Sequence, residues 1–414
     1  MFTVYSKIGH SINPNPLKLK TTRLFILAIL ISVEASAQVS MQTMLRLPDT
    51  GQTASYTSTF GEDNDYMIHA PSFLLNGNGT VTDTVTSLMW QQSDGGEMTV
   101  ENAIAYCDSL SLGGFTNWRL PNAHEAFSIL NHQHINPAMD PAFFTATNAE
   151  YWWTNDRQSN DTTKIWVTNA GGGIGNHPKA ETISAGGTKK FHVKAVRDVA
   201  APLSIPVHYT DNGDSTITDH ATNLMWLKFP VSGSLTWENA IAYSENLTLA
   251  SYTDWRLPNI KELQSLNDES VVSPSVNATY FGALGIKKFW SSTTLPNQTS
   301  KAWYWDNQVG IVTYDLKTNV NSVLCVRAFQ SIATAASDMS NEHRMPSVYP
   351  NPFTNRIYVS NGDEIKQLEL SDCFGRILYK GLHPETHDFS TLSSGLYFLR
   401  VIGNAIFTAK LIKE

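Results

Sequence analysis

The stretch TNWRLPNAHE at residues 116–125 returns almost letter for letter as TDWRLPNIKE at residues 253–262, 137 positions further on. Its chemistry is that of a chain being stopped and turned into a helix. Pro121 and Pro258 push the leucine before them into extended geometry. Asn122 and Asn259 are good helix N-caps, and Glu125 and Glu262 stand three residues later, as a capping box requires. Ala126, Ile129 and Leu130, and in the second stretch Leu263 and Leu266, then supply an apolar helix face. Trp118 and Trp255 are expected in the core. Arg119 and Arg256 are expected to anchor the entry, by hydrogen bonds or a buried charge pair. Trp118, Arg119, Pro121 and Glu125, with Trp255, Arg256, Pro258 and Glu262, are thus read as a structural motif.

The repeat extends well beyond this motif. VTDTVTSLMW (81–90) matches ITDHATNLMW (217–226), ENAIAY recurs at residues 101 and 238, Trp153 matches Trp290, and AVR at 195 matches CVR at 325. A period near 137 residues is too long for a solenoid unit, so two domain copies are expected, each burying its own core. In each copy an Asn/Gly turn precedes a β-rich stretch, then a helix capped by Thr99 or Thr236. Val100, Ala103, Ile104, Cys107 and Leu110 form one apolar face of that helix, as do Trp237, Ala240, Ile241, Ser244 and Leu247. Trp-rich segments that read as strands follow. Two helices with later antiparallel strands make each copy α+β.

The whole chain has 414 residues, 42% hydrophobic and 16% charged, with a net charge of −8. That balance lacks the basic face a nucleic-acid partner needs. Lys18, Lys20 and Arg23, the apolar run from Leu24 to Val33, and Ala35-Ser36-Ala37 have the order of a secretory signal, with cleavage expected between Ala37 and Gln38. No apolar run of membrane-spanning length lies beyond it. The resulting division is a signal peptide (1–37), a lead-in (38–65), copy one (66–200), copy two (201–330), a polar linker (331–345) and a C-terminal domain (346–414).

TDTVTSLMW, ENAIAYC, NWRLPNAHE and AVRDV, with their second-copy counterparts, resemble the Lcl C-terminal domain family. That resemblance implies a C-type lectin-like fold; the WRLPN entry is similar to a stretch of formylglycine-generating enzymes. VYPNPFTNRIYV (from 348), LELSDCFGRILYKG (from 368) and DFSTLSSGLYFLRVIGNAIFTAKLIK (from 388) resemble a type IX secretion sorting domain. They alternate apolar and polar residues as half-buried strands do, so a small β-sandwich is expected. This second resemblance implies export by the type IX machinery and a secreted or outer-membrane-surface location. The lectin-like resemblance further implies a disulfide between the first helix and the last strand. Copy one keeps only Cys107 (Ala195 on the strand), and copy two only Cys325 (Ser244 on the helix). Two buried free thiols are therefore expected, with Cys373 in the sorting domain.

Candidate chemistry is sparse. The three cysteines, one per region, do not form an oxidase pair. His132 and His134 in HQHINP read as surface-loop residues, without a third metal ligand at readable spacing. Asp211, Asn212, Asp214 and Asp219 in DNGDSTITD have the oxygen-rich look of a calcium loop but lack EF-hand spacing, and read as an Asn/Gly turn. No cofactor is expected, calcium being the single candidate. In KAWYWDN, Trp303 matches Trp166 and reads as core. Tyr304, Trp305 and Asp306 read as an exposed ligand-binding patch, because Tyr304 and Trp305 replace Val167 and Thr168. The expected function is non-enzymatic binding or adhesion at the cell surface, to a glycan or protein. The rivals are an enzyme with an unrecognised site and a structural envelope component.

Overall fold

The structure, a computed structural model, describes residues 40–180, 191–329, 347–350, 352–360, 365–372, 376–402 and 406–413. The signal segment with Ala37 and Gln38, the linker 331–345 and Cys373 lie outside the described residues. Two compact units divide the chain between Ser331 and Ile332.

In the first unit β1 (Ser40–Gln42) precedes a long loop containing a 3-10 turn at Asp63–Asp65. Copy one follows as β2 (Phe73–Leu75), β3 (Thr80–Asp83), β4 (Leu88–Gln91), α1 (Val100–Ser109), α2 (Ala123–Ser128), β5 (Tyr151–Gln158), β6 (Asp161–Asn169), β7 (Ile174–Pro178), β8 (Phe191–His192) and β9 (Val196–Asp198). β10 (Leu203–Ile205) returns to pair with β1. Copy two repeats the order: β11 (Tyr209–Asp211), β12 (Thr216–Asp219), β13 (Leu224–Leu227), α3 (Trp237–Glu245), α4 (Ile260–Ser265), α5 (Ala278–Phe281), β14 (Lys288–Thr294), β15 (Lys301–Asp306), β16 (Ile311–Leu316) and β17 (Val326–Ala328). Both copies are mostly β-sheet with few, short helices.

Each copy opens with a hairpin whose turn is built the same way twice. Asn76 Nδ2 donates to the Thr80 and Thr82 hydroxyls at 2.8 and 3.0 Å, and Asn212 Nδ2 to those of Thr216 and Thr218 at the same distances. Gly77 and Gly213 hold φ near +72° and +76°, which glycine adopts without steric cost. The copy's last strand then closes the sheet beside the hairpin, giving the orders β2-β3-β4-β9 and β11-β12-β13-β17. Trp90 and Val196, and likewise Trp226 and Val326, are fully buried. The face expected on α1 is narrower than expected. Val100, Ala103 and Cys107 are buried, but Ile104 is 44% exposed. Thr99 caps α1 through Asn102 N, whereas Thr236 makes no side-chain cap on α3.

The later strands join the copies. Their sheet runs β14-β15-β16-β7-β6-β5-β8, with β7 and β16 meeting antiparallel at Ile174 and Val312. These two strands are equivalents, 137 residues apart, so a local two-fold axis runs through the seam. Beneath it α2 packs on α4. The expectation of two private cores is thereby corrected. One apolar cluster runs from Trp90, Phe127 and Trp166 into Trp226, Trp255 and Trp303, and a second, around Trp118, Trp153 and Phe191, is confined to copy one.

The lead-in is also part of this body. Gln52 pairs with the backbone of Thr294 in both directions (2.8 and 3.1 Å), and Thr294 Oγ1 donates to Glu62 at 2.5 Å. The buried Asp63 accepts from Thr50 at 2.8 Å and from Thr293. A segment preceding copy one in sequence thus fills the surface of copy two.

In the second unit β18 (Ser347–Tyr349) pairs with β19 (Tyr358–Ser360). β20 (Gln367–Asp372), β21 (Ile377–Gly381), β22 (Gly395–Ile402) and β23 (Ile406–Lys413) form a sheet in the order β21-β20-β22-β23. Phe353, Ile357, Leu370, Phe389 and Leu399 are the core of this sandwich.

Candidate functional site

The repeated decamer does what its spacing predicts. Asn122 and Asn259 accept from the backbone of Glu125 and Glu262, and each glutamate reaches back to the cap nitrogen, completing two capping boxes. The same carboxylates take the preceding arginine. Arg119 grips Glu125 with both guanidinium nitrogens at 2.7 and 2.8 Å and adds Asp198 at 2.6 Å. Arg256 grips Glu262 at 2.7 and 2.5 Å. The pair at 256 and 262 is almost wholly buried, while Arg119 keeps a third of its side chain in solvent. The backbones of Arg119 and Arg256 also bridge to Val196 and Val326. The two most recognisable motifs of each copy, WRLPN and the closing AVR or CVR, are therefore hydrogen-bonded neighbours.

The expected patch on β15 is not a surface. Trp305 is fully buried and stacks on Phe289, and Tyr304 is only 8% exposed. The strand lies between β14 and β16, and both of its faces are covered. Replacing Val167 and Thr168 by Tyr304 and Trp305 enlarges a core. Asp306 is half-buried and caps the turn at Gln308.

His132 is likewise no loop residue. It is buried against Trp303 and Phe127, with Nε2 bonded to Gly172 O at 2.9 Å. Burial, helped by the nearby Lys261 charge, pushes its pKa down to about 3. In the proposed calcium loop, Asp211 pairs with Lys228, Asp214 caps Thr216, and Asp219 accepts from Ala221 and Thr222. Among the described residues no group of three or more His, Cys, Asp or Glu is placed to hold a metal ion. Cys107 and Cys325 are free and buried, each pushed up to about 12 by burial, so neither is poised as a thiolate. Cys325 Sγ lies 3.3 Å from Ser244 Oγ, in its own copy.

What the sequence did not disclose lies at the seam. A cleft of about 470 Å³ opens where β7 and β16 meet, lined from copy one by Asn136, Glu150, Tyr151 and Asn169 and from copy two by Trp303 and Tyr314. Among the described residues the Glu150 carboxylate makes no ion pair or hydrogen bond. Asn169 Oδ1 is spent on Gly171 N and Gly173 N at 2.9 and 3.1 Å, which leaves its Nδ2 hydrogens without a protein acceptor. Tyr151 stacks on Phe191, and Tyr314, 41% exposed, stands edge-on to Trp303. Several polar groups and two tyrosine rings therefore share a concave surface that neither copy has alone.

Copy one carries one further polar cluster. Asp94 accepts from Thr147 at 2.5 Å and Trp152 at 3.3 Å and bonds His192 Nδ1 at 2.8 Å, with all but a few per cent of both partners' side chains shielded. Lys194 lies over the Phe144 ring, and burial lowers its pKa to about 8. Copy two has Pro230, Ser322 and Leu324 at the matching positions.

The family model described as the Lcl C-terminal domain matches residues 79–197 and 215–327. The chain belongs to the Lcl C-terminal domain family, with the domain present twice. Residues 347–414 match the secretion system C-terminal sorting domain. That sorting domain marks the chain for type IX secretion and a secreted or outer-membrane-surface location. No helix among the described residues is long and apolar enough to cross a membrane. No curated protein matches. Among solved structures, the chain is similar to PorZ, described as an essential bacterial surface component of the type-IX secretion system of Porphyromonas gingivalis. Identity is 12% over 64% of this chain and 30% of that one, at a TM-score of 0.15. The chain thus spans about a third of that protein's length, and a likeness at this score sets neither fold nor function.

Proposed function

We propose that the exported chain is a non-enzymatic binding protein that serves adhesion at the cell surface, with two C-type lectin-like copies acting as one receptor body. The ligand is a glycan, and the seam cleft receives it. The observation that carries this reading is the convergence of unpartnered polar groups, Glu150 and the Asn169 amide, with the Tyr151 and Tyr314 rings in one cleft. Such a mixture suits sugar hydroxyls and the apolar face of a sugar ring. A glycan array probed with the mature chain, with and without calcium, tests it. Retained oligosaccharides whose binding falls with Tyr314→Ala support the reading, and an array blank under both conditions removes it.

One observation favours the rival enzymatic reading, the buried Asp94–His192 pair beside Lys194. A carboxylate holding a histidine is a common acid–base arrangement. The same fold closes without it in copy two. Turnover of a retained glycan that is lost in His192→Gln would favour the enzyme.

A further inference from the structure

We propose that the seam cleft selects a protonated amino sugar, a hexosamine with a free ammonium group, through Glu150. This rests on the reading of the cleft as a saccharide site and adds the charge of the ligand to it.

Glu150 is the single ionised group among the cleft's lining residues, and its carboxylate has no partner among the described residues. A carboxylate without a protein cation, set among neutral amides and tyrosines, attracts a cation and repels sulfated or carboxylated sugars. Tyr314 already shows that its ring accepts an ammonium group, since Lys301 Nζ lies 4.9 Å from its centroid. The Asn169 Nδ2 and Asn136 side chains supply neutral donors and acceptors for ring hydroxyls. The cleft volume of about 470 Å³ falls within the common range for small-ligand sites, about 300–1,000 Å³.

The repeat supplies an internal control. Advancing by 137 residues turns Glu150 and Tyr151 into Lys287 and Lys288, and Tyr314 stands where copy one has His177. The side chains that give the cleft its charge and its aromatic walls are therefore not demanded by the fold. Of the two pseudo-symmetric positions, one alone carries the acid with the tyrosines.

The test titrates the mature full-length chain with three β-1,4 tetrasaccharides, of glucosamine, of N-acetylglucosamine and of glucose, by calorimetry at low salt. The glucosamine tetramer is expected to bind at least about tenfold more tightly than the other two, the worth of one charge-assisted contact. Glu150→Gln should abolish that preference and leave weak binding of all three. Glu150→Lys, which copies the residue at 287, should exclude the glucosamine tetramer. Because Glu150 holds no other residue, both variants should melt with the wild type. Equal binding of the three sugars, or a preference that survives Glu150→Gln, overturns the charge assignment while leaving the saccharide site standing. Binding of none of them overturns both.

Discussion

His124 and Lys261 occupy the same position in the two copies, 137 residues apart, and both reach across the seam into the other copy. His124 Nε2 meets Asn267 O at 3.1 Å and Glu269 at 3.0 Å, and Lys261 Nζ donates to Ser128 O at 2.7 Å. The symmetry breaks at their partners. Glu269 is the counterpart of His132, so the mate of an acid–base pair is a lysine facing a histidine, two groups that cannot both be charged at low cost. The lead-in resolves the conflict: Asp49 O takes Lys261 at 2.9 Å and His132 stays neutral. Protonation expresses the same asymmetry. Burial opposes the charge on His124, but Glu269 outweighs it and raises the pKa to about 9. Burial lowers Lys261 to about 8.

The two groups pull stability in opposite directions with pH. His124 is raised above its unfolded value of 6.5, so its contribution is full below 6.5 and is lost as pH climbs through 9. Lys261 is depressed below 10.5, so its penalty is full below 8 and is relieved as pH climbs from 8 towards 10.5. Between pH 6.5 and 8 the His124 effect should dominate, and the melting temperature should fall. Thermal melts of wild type and His124→Gln across pH 6 to 9 check this. The variant should start lower and run flatter, and parallel curves would refute the linkage.

The two arginines of the repeated motif should differ in worth. Removing Arg256 strands the Glu262 carboxylate out of water, a loss on the order of 3–5 kcal/mol. Glu125 is as deeply buried as Glu262. But Arg119 is part-solvated and its place is open to water, so Arg119→Ala should cost roughly half as much. Denaturant unfolding of both variants gives the order directly, and an equal or reversed order would mean that the Asp198 contact matters more than burial.

Truncations at the two ends should behave oppositely. A chain of residues 38–335 should unfold cooperatively at the wild-type midpoint, since the sorting domain is its own compact unit. A chain beginning at residue 70 loses Asp49, Thr50, Gln52, Glu62 and Asp63, and leaves Thr293, Thr294 and Lys261 without partners they hold in the core. Unmet buried polar groups cost about 1–3 kcal/mol each. That chain should lose several kcal/mol and its sharp transition, as followed by tryptophan fluorescence.

The helices were legible where the chemistry is local. Asn122 with Glu125, and Asn259 with Glu262, lie within one turn, so spacing alone declared the capping boxes. That WRLPN and the closing AVR or CVR recur together hinted at the Arg119–Val196 and Arg256–Val326 bridges. Tyr304 and Trp305 misled because drift between copies looked like surface variation, although β15 is shielded on both faces. His132 misled because its loop turns inward beneath the seam. The cleft was illegible, since Glu150 and Tyr314 are far apart in sequence and meet through the β7–β16 pairing, which no local pattern announces. The lead-in was seen as a family marker, and its packing on copy two is written only in scattered threonines and acids.

The cysteines yield the sharpest test of the copy-by-copy pairing of first helix and last strand. Cys107 packs in the copy-one cluster with Ala195, and Cys325 faces Ser244 across its own copy. Without denaturant neither thiol should react with iodoacetamide, and on unfolding both should. Ser244→Cys places a second sulfur where a hydroxyl already touches Cys325 Sγ at 3.3 Å. The new pair should oxidise on export and close a loop of 81 residues. Constraint of the unfolded chain by such a loop is worth about 2–4 kcal/mol. A non-reducing peptide map should then show the 244–325 link and a raised melting temperature that reductant reverses. A map that instead joins Cys107 to Cys325 would mean that the first helix of copy one packs on the last strand of copy two.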